Sequence, residues 1–202
     1  MELPFNLPRC FCIAVLAASL PTAALADDSA EALLQKIQAR ADKIKEFRAL
    51  LNNPDQTVRL AALDVMLKSS DVAMRELAYG VCFNSADQAM RGVCLINKMA
   101  DLQTVAIRID DIGDPTDSQK KALLEWGDNY VFTIENVDEK TGRFETKGSY
   151  RNGAGQIAGT GIEFAQNYCS GSFVLADGAE LVGELGCRGG WAGTFPGRIR
   201  LQ

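Results

Sequence analysis

The sequence predicts an α+β protein in which a bundle of short helices precedes an antiparallel β meander, either a small barrel or a curved sheet. Apolar side chains recur at three- and four-residue spacing over residues 29–99, which is typical of amphipathic helices. From residue 104 onward they alternate with polar residues between glycine-rich turns, which is typical of short strands. An even number of cysteines beyond the N-terminal segment predicts a disulfide in the β part.

These patterns divide the chain into four segments, which are predicted as follows: a secretory signal peptide (1–26), a helical HEAT-like bundle (27–102), an acidic linker with a strand and a short helix (103–128), and an antiparallel β domain (129–202).

The N-terminal segment has the pattern of a signal peptide. An apolar stretch from Cys10 to Leu20 is followed by Pro21 and by small residues that end at Ala26, before a polar run. We expect cleavage after Ala26, and the apolar stretch is too short for a permanent anchor. A periplasmic or secreted protein with no integral membrane segment after cleavage is therefore predicted.

The helical region begins with an amphipathic stripe from Ala32 to Leu51. A unit D-x-x-[VM]-R then recurs every 16 residues, starting at Asp55, Asp71 and Asp87. We expect each Asp to cap the start of a helix, because its carboxylate can accept hydrogen bonds from free backbone N–H groups. The Arg four residues later is expected to lie on the same face and to pair with that Asp.

Over Asp55 to Ala100 this unit resembles the helices of HEAT-like repeats, whose helix pairs stack into solenoids that serve as binding scaffolds. The resemblance covers about a quarter of the chain and only about two helix pairs, which is shorter than a typical solenoid. It implies a binding scaffold. A small helical bundle that packs on the second half of the chain is the alternative interpretation.

The β part begins with an alternation at residues 105–109, and a short helix over residues 118–126 is expected to be capped by Asp117 or Ser118. Consecutive hairpins then predict about six or seven short strands. Residues 157–164 are expected to form one of them.

Four cysteines follow the signal peptide, and they allow three pairings. The simplest pairing closes each pair within its own segment, Cys82 with Cys94 and Cys169 with Cys187. The second pair flanks a tight-turn signal at residues 177–178, so that a hairpin would place its cysteines nearly opposite each other. For the first pair, a disulfide and two buried thiols on neighbouring helices both remain open.

Composition excludes several classes of function. The formal net charge is −5, which gives no electrostatic case for binding nucleic acid or anionic lipid. The chain has no histidine, and this excludes hydrolases and zinc enzymes that depend on one. Chemistry would have to use carboxylates, lysine or tyrosine, and no catalytic motif is present.

Residue types alone offer four candidate features. The acidic loop at 110–117 supplies oxygen ligands that Ca²⁺ accepts, although it lacks EF-hand spacing, and a solvated linker is the simpler interpretation. Glu135 and Glu145, across a hairpin, imitate a glycosidase carboxylate pair. Loops 150–153 and 188–191 combine aromatic, arginine and glycine residues and are suited to insert into a partner. Nine aromatic residues are expected to fill the barrel or to line its mouth: Tyr130, Phe132, Phe144, Tyr150, Phe164, Tyr168, Phe173, Trp191 and Phe195.

The function predicted from these observations is that of an exported, non-enzymatic binding or interaction protein, whose partner is an unknown protein or a small ligand. The sequence assigns no catalytic residue, cofactor or metal. Two alternatives stay open: a carboxylate-based hydrolase acting on cell-envelope or extracellular polymer, and an inhibitor of an exported hydrolase. A cleft with two carboxylates would favour the hydrolase, whereas a closed, filled barrel would favour the binding protein.

Overall fold

The structure is a computed structural model that describes residues 29–127 and 129–201. The predicted signal peptide therefore lies outside the described residues. The chain divides into two compact units, Met1–Ala39 and Arg40–Gln202. In the first unit the described residues are mostly the start of a helix, and its apolar side chains Leu33, Leu34 and Ile37 are exposed. Apart from the first residues of that helix, the following observations concern the second unit.

The described residues contain five α-helices and eight strands. The helices are α1 (Ala30–Leu51), α2 (Gln56–Leu67), α3 (Val72–Cys82), α4 (Gln88–Asp101) and α5 (Asp117–Trp126). The strands are β1 (Thr104–Ile109), β2 (Asn129–Glu135), β3 (Arg143–Lys147), β4 (Gly153–Ala158), β5 (Gly161–Gln166), β6 (Cys169–Leu175), β7 (Glu180–Cys187) and β8 (Gly193–Arg200). None of the helices in this part of the chain is long and apolar enough to cross a membrane.

The three repeat helices begin as the sequence predicts. Asp55, Asp71 and Asp87 are the N-caps of α2, α3 and α4, and each carboxylate accepts a hydrogen bond from the backbone N–H two residues later. These bonds satisfy amide groups that have no partner within the helix. The prediction that these aspartates cap helices is confirmed.

The predicted pairing of each arginine with its own cap is wrong. Arg59 instead donates to Asp87 (Nη2–Oδ2 2.5 Å) and to the backbone carbonyl of Asn53 (2.7 Å). Arg75 likewise donates to the carbonyl of Ser69 (2.6 Å). Helical side chains lean toward the N-terminus, so a long arginine side chain passes the cap and reaches the turn before it.

The third arginine of the series contacts the barrel. Arg91 donates from Nη2 to the carbonyl of Leu175 (3.1 Å) and to that of Ala176. Its neighbour Gly92 faces a barrel turn so closely that a Cβ atom there would lie 2.8 Å from the carbonyl oxygen of Gly159. Helix α4 therefore contacts the barrel backbone directly.

The strands form a closed antiparallel barrel in chain order from β1 to β8. Strand β1 closes it by pairing with β8, with Arg108 opposite Arg198 and Ile109 opposite Gly197. The antiparallel β meander that the sequence predicts is confirmed, and the structure decides for the barrel over the curved sheet. The closing strand comes from the segment predicted as a linker, 103–128.

The barrel has one more hairpin than the sequence indicates. Residues 157–164, predicted as one strand, belong to β4 and β5, which pair through Ala158 and Gly161. Between them Gly159 has φ +56°, the left-handed region that glycine adopts without a steric penalty. Glycine also occurs inside bent strands, so the sequence alone does not separate a turn glycine from a strand glycine.

Aromatic side chains fill the barrel interior. Six of the nine predicted aromatic residues are buried there: Tyr130, Phe132, Phe144, Phe164, Phe173 and Phe195. Glycines on neighbouring strands leave room for the rings, since Gly155 lies opposite both Phe144 and Phe164, and Gly171 lies opposite Phe164. The interior is thus a packed core.

Two disulfides fasten the fold, and each joins cysteines of one segment. Cys169 and Cys187 lie directly opposite each other on β6 and β7, with a Cα–Cα distance of 4.1 Å. Cys82, the last residue of α3, is bonded to Cys94 in α4. The sequence left the bridge between Cys82 and Cys94 open, because thiols on neighbouring helices can bond only where they lie at the same level along the two helix axes.

Candidate functional site

Elements of the chain contact the barrel at both ends. Helix α4 contacts turns at one end, through Arg91 and Gly92. At the other end α5 packs Trp126 against Tyr130 and Phe195, with ring centroids 5.0 and 4.9 Å apart. With the interior filled and both ends in contact with helices, a binding surface has to be sought on the outside.

Helix α5 is positioned by a capping box. Thr116, and not Asp117 or Ser118 as predicted, is the N-cap: its hydroxyl accepts from the backbone N–H of Gln119, whose side chain bonds back to Thr116. Thr116, Asp117 and Ser118 are all residue types that cap helices well. Only the capping-box partner three residues later, Gln119, singles out Thr116. Gln119 also donates to the carbonyl of Thr194 (2.9 Å), which joins α5 to β8.

Three aromatic side chains remain near the surface at the α5 end of the barrel. Tyr150, Tyr168 and Trp191, together with Arg151, are called the aromatic rim. Tyr150 and Tyr168 are 65% and 46% exposed, and the Tyr150 ring lies 6.1 Å from that of Trp191. The guanidinium of Arg151 lies 5.8 Å from the ring centroid of Tyr168. The two loops singled out from the sequence therefore meet here.

Asn167, in the turn between β5 and β6, holds the loop that carries Tyr150 and Arg151. Its Oδ1 accepts hydrogen bonds from the backbone N–H of Tyr150 (3.1 Å) and of Arg151 (2.9 Å). Its φ of 55° lies in the left-handed region, which asparagine tolerates better than most residues. A Cβ on Gly148 would lie 2.6 Å from this Oδ1, so the close approach of the two loops requires glycine.

A buried polar pair lies next to Asn167. Tyr130 donates from its hydroxyl to Oε1 of Gln166 at 2.5 Å, and Gln166 is 3% exposed. Burial raises the pKa of Tyr130 to about 12, so the hydroxyl stays protonated and remains a donor. This bond connects the chain beside Asn167 to the barrel core.

Trp191 is held from two sides. Its indole Nε1 donates to Oε2 of Glu125 in α5 at 2.8 Å, and its ring lies 5.4 Å from that of Trp126. In the same loop, the backbone N–H of Arg188 donates to the carbonyl of Tyr168 (3.0 Å). In the aromatic rim, hydrogen bonds thus hold the half-buried Trp191 side chain and the backbone of the loops that carry the exposed Tyr150 and Tyr168.

The acidic loop does not assemble a metal site. Asp110 accepts from Nε of Arg198 at 3.0 Å, and Asp111 accepts from the backbone N–H of Gly113 at 2.9 Å. Among the described residues no group of three or more acidic or cysteine side chains is arranged to hold a metal ion. The loop gives no support to the calcium interpretation.

The carboxylate pair considered from the sequence has structural partners. Glu135 and Glu145 lie opposite each other on β2 and β3. Glu135 forms an ion pair with Lys147 (3.4 Å), and Glu145 accepts from Nδ2 of Asn136 (2.9 Å). Nothing in this arrangement makes one of these two carboxyl groups the proton donor and the other the nucleophile of a glycosidase.

A second carboxylate pair, missed from the sequence, lies in a groove on the outer face of strands β4 to β8. Ser172 lies opposite Glu163 on one side and opposite Glu184 on the other. The groove has a volume of about 640 Å³, and we call it the outer groove. Its lining includes the side chains of Gln156, Glu163, Ser170, Ser172, Glu184 and Thr194. Glu163 and Glu184 lie on strands that are not adjacent, so only the strand register shows that they face the same groove on either side of Ser172.

Comparison with known proteins gives no family: no family model, curated protein or solved structure matches the chain. Its function must be argued from the geometry of the aromatic rim and the outer groove.

Proposed function

We propose that this chain is an exported, non-enzymatic binding protein that recognises a partner protein through its aromatic rim. The observation that carries the proposal is a set of tyrosine, tryptophan and arginine side chains at the surface, on loops whose backbone is held by hydrogen bonds. These residue types dominate the energetics of protein interfaces. Because Asn167 and Glu125 already hold the rim, binding would cost little conformational entropy.

Export is supported by the two disulfides, since such bonds form and persist in oxidising compartments. The signal peptide predicted to end at Ala26 points in the same direction, toward the periplasm or the outside of the cell. The HEAT-like segment stays a prediction, and in this proposal its helices support the barrel.

A protein partner is favoured over a small ligand. Small-ligand sites are concave and bury most of the ligand surface. The barrel interior, which would be the natural place for such a site, is filled with aromatic side chains. Tyr150 and Tyr168 project outward instead, which suits contact with the surface of another protein.

Photo-crosslinking tests the proposal. A photoreactive amino acid is placed at position 150 in the full chain, which is expressed in its producing cells. The matched control carries it at Glu139, an exposed residue in the β2–β3 loop at the opposite end of the barrel. We expect a discrete adduct from position 150 only, and its loss on adding Tyr168→Ser and Trp191→Ser with the disulfides and circular dichroism unchanged. No adduct at position 150, or equal adducts at both positions, would contradict the proposal.

The inhibitor alternative uses the same surface. A rigid set of aromatic side chains on loops suits insertion into the cleft of an enzyme. It is distinguished by the identity of the adduct: the crosslinked partner would be a hydrolase, and it would lose activity when bound. The carboxylate-based hydrolase also remains an alternative, and the outer groove is where it would act.

A further inference from the structure

The outer groove is lined by two acidic residues, and the nearest basic residue in their cross-strand row is Arg143, two strands from Glu163. Its lining includes Glu163 and Glu184 and no lysine or arginine. Within the described part of the chain neither carboxylate has a hydrogen-bond or ion-pair partner, whereas Glu135 pairs with Lys147 and Glu180 with Arg198. The strand glutamates outside the groove thus have polar partners, and the two within it do not.

The spacing of the two carboxylates suits one cation between them. Glu163 and Glu184 lie two strands apart across Ser172, which corresponds to about 10 Å between their Cα atoms. A lysine ammonium or an arginine guanidinium entering over Ser172 could donate hydrogen bonds to both carboxylates. A metal ion is less suited, because Ca²⁺ requires about six to eight oxygen ligands.

The shape of the groove suits an extended segment of chain. It is shallow and open to solvent, and its centre is lined by small residues, Ser170, Ser172 and Gly186. A neighbouring depression shares Ser170 and Gly186 with the groove and also includes Tyr168 of the aromatic rim. The groove is therefore continuous with the proposed protein-binding surface.

We infer that the outer groove binds a lysine or arginine side chain on an extended segment of the partner protein. This inference rests on the proposed function, and it names the chemistry of the partner: a basic segment that runs from the aromatic rim across β6 and β7. The two carboxylates supply charge, and the small residues between them supply access.

The direct test is a titration of the full chain with short capped peptides, followed by backbone amide chemical shifts. The probes are acetyl-Ala-Lys-Ala-amide, its arginine counterpart and, as a neutral control, its glutamine counterpart. We expect saturable shifts at Glu163, Ser172 and Glu184 with the basic peptides only, weakened by added salt because the contact is ionic. In the double variant Glu163→Gln, Glu184→Gln the chemical-shift changes at the same peptide concentration should be at least fivefold smaller. The control variant Glu139→Gln should leave them unchanged.

Three results would overturn the inference. The first is no saturable shift in the groove at roughly 10 mM peptide, which exceeds the millimolar Kd of a weak specific contact. The second is an equal response to the glutamine peptide. The third is cleavage of a purified cell-envelope polymer that stops in Glu163→Gln or Glu184→Gln, which would support the hydrolase.

The crosslinking experiment separates this failure from failure of the proposed function. If the groove binds the partner, the double glutamine variant should give at least fivefold less adduct from position 150. An undiminished adduct would overturn the groove inference and leave the aromatic rim as the binding surface. If the chain with unchanged Glu163 and Glu184 gives no adduct from position 150, the proposed function itself is overturned.

Discussion

Replacement of Arg91 by methionine tests how the last repeat helix is fastened to the barrel. Arg91 donates to the carbonyls of Leu175 and Ala176, whereas Arg75, at the same place in the preceding unit, donates to Ser69 within the helical segment. Arg75→Met is therefore the matched control. Methionine keeps most of the apolar stem, so each variant removes mainly the guanidinium.

The magnitude follows from the contacts of each guanidinium. A hydrogen bond from a charged donor contributes about 1.5–3 kcal/mol, so the two bonds of Arg91 contribute roughly 3–6 kcal/mol. Its Nε is buried with no partner among the described residues, and removing that atom regains about 1–3 kcal/mol. We expect Arg91→Met to lower the free energy of unfolding by about 2–3 kcal/mol. Arg75→Met should lower it by about 1 kcal/mol, since water can replace its single bond to a turn carbonyl.

Urea denaturation with two signals measures these changes. Far-UV circular dichroism follows mainly the helices, and tryptophan fluorescence follows the barrel, because Trp126 and Trp191 both lie at its α5 end. Coincident transitions are expected in the unmodified chain if helices and barrel unfold together. In Arg91→Met the helical signal should shift to lower urea than the fluorescence signal.

Two results would refute this reasoning. Equal destabilisation by Arg91→Met and Arg75→Met would mean that the bonds to the barrel contribute nothing beyond a local turn contact. Separate transitions in the unmodified chain would mean that helices and barrel fold independently, as the predicted division into two domains allows.

Gly92→Ala should destabilise the protein by about 1–3 kcal/mol, because its Cβ would overlap the carbonyl of Gly159. The control Gly80→Ala, with no heavy atom within 4 Å of the new Cβ, should stabilise the protein by about 0.5–1 kcal/mol. If both variants shift the urea midpoint in the same direction, the close contact between Gly92 and Gly159 does not limit stability. The hydrogen bond from Arg59 holds the pKa of Asp87 below its usual range. The resulting stability is present above the unfolded pKa of about 4 and is lost as pH falls through the lowered folded pKa, so Asp87→Asn should reduce the acid-induced loss in a pH series of urea midpoints.

Local features of the fold could be read from the sequence. The repeat places Asp55, Asp71 and Asp87 at helix starts, because capping depends only on the residues next to the cap. The position of the turn between β6 and β7 sets which residues face each other, so the pairing of Cys169 with Cys187 follows from spacing along the chain. The signal peptide stays a prediction.

The aromatic rim could be predicted only in part. Residue types singled out the loops that contain Tyr150 and Trp191, since tyrosine, tryptophan and arginine combine apolar area with polar groups. Asn167 and Gly148 bring the loop of Tyr150 to the turn between β5 and β6, and the backbone bond from Arg188 to Tyr168 joins the loop of Trp191 to that same turn. No local pattern indicates that contact, because it joins loops from different hairpins.

The sequence by itself therefore determined that helices precede an antiparallel β meander, where the three repeat helices begin, and which hairpin carries the disulfide between Cys169 and Cys187. The tertiary structure alone decided that β1 closes the barrel against β8, that Arg91 contacts barrel carbonyls, and that Glu163 and Glu184 share the outer groove. The physical reason is common to all three. Propensities, caps and turns are local, whereas strand register and packing between distant segments depend on the free energy of the whole fold.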